Sequence, residues 1–297
     1  MNIIQSFWSK PYTDTKSKSI HSRFKGGWLT EKAFFISCML SCLKLKEQYG
    51  KVHLITDQIG KSILIDKLKI PYTSWAVELD TLNDFSSELW AIGKIETYRL
   101  QKCPFIHFDN DVYLYKPLPR RLIEGDLIIQ NFDQDSKYYN DVVEVGLQVI
   151  NNMPESLNRF LIQEYGKNNT HGCNAGIIGG KDIRFFETYT NFALELARDI
   201  SNNKKLENFG LVNIFLEQLV YYYLIIKEKK SPIPLLYEVG HEFENVLNFE
   251  SIPHTQYLHA LGKSKKNILT NEQVYMRLEL EYPHWFDSIS NNYSKYF

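Results

Sequence analysis

Apolar positions along the chain fall into short runs and longer helical stripes that alternate. Asn2 to Trp8 is a short apolar run, and the polar, glycine-containing stretch from Lys10 to Gly27 predicts a long loop after it. Between Thr30 and Tyr49, apolar residues recur at Phe35, Cys38, Met39, Cys42, Leu45 and Tyr49. That spacing predicts a helix with one buried face, stopped by Gly50. Lys51 to Thr56 reads as a strand, Gly60 to Leu68 as a helix, Pro71 as a break and Thr73 to Val77 as another strand. A periodic helix over Asp84 to Gln101 then leads into the apolar run Phe105-Ile106-His107-Phe108. Further on come a strand at Asp126 to Gln130, a polar insertion from Asn131 to Asn140 and a glycine-rich patch from His171 to Gly180. Two apolar helices follow, over Lys181 to Ile200 and Leu211 to Lys227. After Pro232 and Pro234 the pattern is mixed and ends in an aromatic-rich helix and tail. Strands alternating with helices predict an α/β fold, a mostly parallel central sheet with flanking helices.

Composition narrows the function classes. Of 297 residues, 34 are Lys or Arg and 35 Asp or Glu, a net charge of −1 that speaks against general nucleic-acid binding, which needs a concentrated basic surface. The most apolar segment, Phe215 to Ile226, is interrupted by Glu217 and Gln218, so no membrane span is expected. The N-terminal sequence has no basic leader with an apolar run, and four cysteines (Cys38, Cys42, Cys103, Cys173) are too few for a disulfide framework. Cys38 and Cys42, at helical spacing among apolar residues, read as core thiols, and the expected location is cytoplasmic. Asn168 and Asn292 each open an N-x-[ST] match, a motif short enough to imply little. Phosphate-loop, nucleophile-elbow and H-E-x-x-H signatures are absent, and Cys103 and Cys173 lack the spacing of a zinc site.

The chemistry concentrates at Asp109-Asn110-Asp111. A lone D-x-D is common in hydrophilic turns, but this one leaves an apolar run and enters another, Val112-Tyr113-Leu114. That puts two carboxylates at the carboxyl end of a buried strand, where open α/β sheets bind ligands and where a hard cation finds oxygen donors. The segment FHFDNDVYLYKPLP resembles the aspartate motif of GT-A-fold glycosyltransferases. Three later segments are similar, in order, to motifs of the retaining, glycogenin-like and lipopolysaccharide-galactosyltransferase-like family: Asn174-Ala175-Gly176, the pair Glu217-Gln218, and His259-Ala260-Leu261-Gly262-Lys263-Ser264-Lys265.

The resemblance covers roughly Asn2 to Lys265 and implies a GT-A (Rossmann-like) catalytic domain over 1–267, with 268–297 a helical, aromatic extension packed on it. It implies Mn²⁺ or Mg²⁺ held by Asp109, Asp111 and His259, and a nucleotide-sugar donor, a UDP-sugar by preference. Donor contacts are implied for Asn110, Asn174, Ala175 and Gly176, with Gly262 and Lys265 at the diphosphate. Arg99 is the arginine expected at the donor sugar, with Lys94 as a helper, and Glu217 or Gln218 would stand near the reacting carbon as stabiliser or nucleophile. The implied activity is hexosyl transfer with retention to a saccharide, lipid-linked or protein or peptide acceptor. Two other readings stay open: a nucleotidyltransferase that makes the nucleotide sugar, and a non-catalytic sugar- or peptide-binding protein.

Overall fold

The computed structural model describes residues 1–16, 23–133, 136–164, 171–201, 208–237, 249–252 and 254–297. The sequon at Asn168 lies outside them. Nine strands are described: β1 (Asn2–Phe7), β2 (His53–Thr56), β3 (Ser74–Val77), β4 (Phe105–Phe108), β5 (Val112–Leu114), β6 (Ile128–Asp133), β7 (Gly172–Gly180), β8 (Ile233–Pro234) and β9 (Tyr257–His259). Seven of them form one sheet in the order β3-β2-β1-β4-β7-β6-β8, and β5 pairs with β9 in a separate two-stranded sheet. In the large sheet β3, β2, β1 and β4 run parallel, as do β6 and β8, while β7 runs antiparallel to both its neighbours.

Helices cover both faces, the α/β architecture expected from the alternating pattern. Alternate strand residues enter opposite cores: Ile4, Phe105, Ile129 and Ile178 pack on one side, and Ile3, Ile106, Ile128 and Ile177 on the other. The first side is covered by helices Ala91–Arg99, Ser136–Val149 and Ile183–Ser201 and by the helical run 209–227. That run is long and apolar enough to cross a membrane by composition, yet it is 67% buried inside the fold, as a core helix is. The second side is covered by the helix Glu31–Tyr49 and, outside it, by Ile268–Glu281 and Pro283–Tyr296.

Several expectations change. The helix Glu31–Tyr49 is buried from Ala33 through Leu45 without interruption, not on one face, because it lies between the sheet and the two C-terminal helices. The helix expected from Asp84 begins at Ala91. Its start is set by Asn213, whose side chain accepts from Ala91 N (2.7 Å) and donates to the Glu88 carbonyl (2.7 Å), a cap drawn from another element. The supposed polar insertion after Gln130 continues β6 to Asp133, and the helix Ser136–Val149 follows from Ser136. The glycine-rich patch forms a strand, Gly172–Gly180, buried along its whole length.

Candidate metal and anion site

The acidic turn lies where β4 ends beside β1, at the point where the strand order reverses and parallel α/β sheets open a crevice. Its backbone is held from below by the helix Glu31–Tyr49. Ser37 Oγ donates to the Asn110 carbonyl (2.9 Å) and Ser41 Oγ to the Val112 carbonyl (2.6 Å), while Gln5 Nε2 donates to the Asp109 carbonyl (3.2 Å). Asp109 N donates to the Gly176 carbonyl (3.0 Å), tying the turn to β7. Asn110 turns its amide back to the Ser6 carbonyl (2.9 Å). Two aspartates two positions apart thus share one side because the chain bends between them.

His259 reaches the same place through strand pairing. β5 and β9 are antiparallel with Val112 opposite His259, and Ala260 N donates to the Asp111 carbonyl (3.0 Å). His259 Nε2 stands 3.2 Å from Asp111 Oδ1 and 4.0 Å from Asp109 Oδ2. Ligand atoms of the three residues all lie within 4.8 Å of one another. With metal–ligand bonds of about 2.1 Å, neighbouring donors sit about 3 Å apart and opposite donors about 4.2 Å, and the 3.2 and 4.0 Å separations from His259 Nε2 fall in the range one hard dication needs. Two carboxylates and one imidazole form a donor set for a divalent cation, and Asp111 Oδ1 is buried with no hydrogen bond among the described residues. On the far side of the ring, Nδ1 donates to Gln130 Oε1 (2.6 Å), which also accepts from the Tyr257 hydroxyl. This bond fixes the tautomer that turns the Nε2 lone pair toward the carboxylates.

Two lysines complete the charge pattern. Lys94 Nζ lies 2.7 Å from Asp109 Oδ1 and contacts Glu217, and Lys265 Nζ contacts Asp111 Oδ2. Burial works against each charge. For Lys94 the carboxylates of Asp109 and Glu217 outweigh it and hold the ammonium above its ordinary pKa, whereas Lys265, with Arg23 nearby, is drawn below. Burial likewise opposes ionisation of Asp111, but the Lys265 ammonium beside it holds its carboxyl well below the usual range. Burial dominates at Glu217 and raises its pKa, against the pull of Lys94. His107, buried and facing Lys94, is pushed well down and stays neutral, with Nε2 2.9 Å from Ser6 Oγ.

The cleft above this floor is lined by Ser6 and Trp8 from the end of β1, by Arg23, Trp28 and Trp90, and by Lys94, Asp109, Asp111 and Lys265. Arg23 stacks over Trp90 at 4.2 Å, a cation set on an aromatic wall. Other expected site residues are placed elsewhere. Arg99 is not brought into the cleft: its guanidinium is bonded to Glu96 (2.6 and 2.7 Å), and Lys94, one turn and a residue earlier, holds the position facing the acidic turn. Gln218 accepts from the Tyr139 hydroxyl (2.5 Å). Asn174 and Ala175 are buried in β7, with Asn174 Oδ1 accepting from Gly176 N (3.0 Å). Gly262 takes a positive φ of 43° at the start of the 3₁₀ turn Gly262–Lys266, which carries Lys265 inward.

Gln130, Ser37, Ser41 and His107 were not singled out from the sequence. Gln130 had a signal, an amide ending the apolar run Leu127-Ile128-Ile129; the two serines had only their places within an apolar helix.

Among solved structures, the chain is similar to mouse xyloside xylosyltransferase 1 in its apo crystal form. The likeness covers 91% of this chain and 98% of that one, at 11% identity and a TM-score of 0.43. No curated protein matches the sequence. Residues 1–292 match the model of the Family of unknown function (DUF6734), and the chain belongs to that family.

Proposed function

We propose that this protein is a GT-A-type glycosyltransferase that uses a nucleotide-sugar donor, preferentially a UDP-sugar, with a divalent cation held by Asp109, Asp111 and His259. The observation that carries the reading is the convergence of those three donors beside two lysines, at the switch point of a mostly parallel sheet. A bound dication supplies charge stabilisation to the leaving diphosphate. Lys265 adds a second positive charge at the same place, and Trp8, Trp28 and Trp90 give the cleft apolar walls for the nucleoside. Lys94, rather than Arg99, is the cationic side chain assigned to the donor. Glu217 acts by holding Lys94 in place, and retention of anomeric configuration follows the motif resemblance. The acceptor is a saccharide, a lipid-linked saccharide or a protein side chain. A cytoplasmic location accords with four free cysteines.

The test is thermal unfolding with UDP or GDP, each with and without Mn²⁺, on the wild-type chain and on Asp111→Ala. A nucleotide at a hundredfold excess over its dissociation constant adds about 2.7 kcal/mol. Stabilisation by one nucleotide that needs Mn²⁺ and vanishes in the variant is the expected result. Absence of stabilisation by either nucleotide, with or without the cation, overturns the reading.

A further inference from the structure

Each lysine on the floor of the cleft is already paired with a carboxylate. Lys94 rests on Asp109 and Glu217, and Lys265 rests on Asp111, so both ammonium groups lie on carboxylates of the ligand cluster. Both lysines also line the cleft in which an anionic ligand would sit. Buried charges are tolerated when paired, and breaking one such pair leaves an uncompensated charge.

We infer that Lys94 and Lys265 are exchangeable counter-ions. In the free protein they occupy the two aspartates; in the loaded protein the aspartates serve a dication and the ammonium groups turn to the diphosphate. This deepens, and rests on, the donor reading proposed above. A dication entering alone takes Asp111 from the buried Lys265 ammonium and leaves Lys94 with Glu217 as its one carboxylate partner among the described residues. A diphosphate entering alone meets lysines whose charge is already spent on carboxylates. Entering together, the two ligands let every charge keep a partner of opposite sign. Each therefore strengthens the other, and the coupling is reciprocal by linkage. Lys265 is the sharper probe, because Lys94 also supports Glu217 and its removal strands a buried carboxylate.

Lys266 provides the control. It is adjacent in sequence and carries the same charge, but its Nζ donates to the Trp28 carbonyl (2.9 Å) rather than to a ligand carboxylate. A general loss of positive potential would affect Lys265→Met and Lys266→Met alike, whereas exchange affects only the first.

The experiment is calorimetric titration of Mn²⁺ without nucleotide into wild type, Lys265→Met and Lys266→Met, with UDP titrated separately in EDTA and each fold checked by thermal unfolding. Lys265→Met is expected to bind Mn²⁺ about tenfold tighter than wild type and UDP more weakly, with Lys266→Met unchanged. Lys265→Gln, which keeps a hydrogen-bonding group at Asp111 without the charge, repeats the test if the methionine variant does not fold. No gain in Mn²⁺ affinity at Lys265, or an equal gain at Lys266, overturns the exchange while leaving the donor reading intact. A wild-type chain that takes up no Mn²⁺ even with saturating UDP removes the donor reading and the exchange with it.

Discussion

His259 can ligate through Nε2 only while Nδ1 carries the proton, and Gln130 imposes that state. The amide oxygen accepts from both the Tyr257 hydroxyl and His259 Nδ1, and its nitrogen donates to Asn131 Oδ1 (2.9 Å), so its orientation is set from three sides. Gln130→Leu keeps the volume and removes that anchor; Mn²⁺ affinity, measured by titration in the presence of UDP, should fall about 10- to 100-fold. Gly176 guards the same ring. A Cβ there would overlap Gln130 Oε1 and the His259 imidazole, although its backbone is ordinary strand. Gly176→Ala should therefore abolish Mn²⁺-dependent stabilisation by nucleotide, and a melting curve that still responds as wild type would contradict this packing. At this scale the acidic pair was legible because its residue types and position after an apolar run carry chemistry. Lys94 and Arg99, five positions apart, project from different sides of the helix, and periodicity alone leaves open which of the two faces the acidic turn. The fold decides by giving Arg99 to Glu96 and Lys94 to Asp109.

Helix ends show what the local pattern carries. Thr30 Oγ1 accepts from Ala33 N (3.1 Å) and Gly50 takes a φ of 74°, so both ends of Glu31–Tyr49 are written in adjacent residues. The helix Ala91–Arg99 instead starts on Asn213, a partner 122 positions away that no window around Asp84 could reveal. Asp182 combines both kinds of contact: it accepts from Phe185 N (3.0 Å) at the head of Ile183–Ser201 and from Lys230 Nζ (2.6 Å). Burial opposes its charge, but Lys230 and the backbone donor outweigh burial and depress its pKa. Its contribution is thus present above the unfolded carboxyl value of about 3.9 and is lost as pH falls through the lower folded value. Asp182→Ala should cost about 1 kcal/mol at pH 7, and the gap to wild type in urea unfolding should close on acidification below about pH 4. A gap independent of pH would show that the carboxylate's charge is not what stabilises the helix.

Across the whole molecule, the C-terminal helices form part of the core around Glu31–Tyr49. Val274, Leu278 and Ile289 are buried with Phe35 and Met39, and the Phe35 ring packs 5.2 Å from Phe297 and 6.2 Å from Tyr293. Asn271 also donates to the Lys265 carbonyl (2.9 Å), linking this layer to the cleft. A chain ending at Asn267 would uncover that apolar helix and free the segment bearing Lys265. It should lose cooperative thermal unfolding by circular dichroism, whereas an unchanged transition would make 268–297 a dispensable appendage.

The sequence by itself determined the alternation of strands and helices, the acidic turn after a buried strand and the buried free thiols, because periodicity, turn chemistry and composition are local properties. Tertiary structure decided the strand order that puts the turn beside β1, and the β5–β9 pairing that sets His259 against Asp111 across almost 150 residues of chain. It also decided which lysines rest on which carboxylates. Those outcomes depend on contacts between residues far apart in the chain, and the energies that select them arise only once burial strengthens charge pairing and removes water from the polar groups.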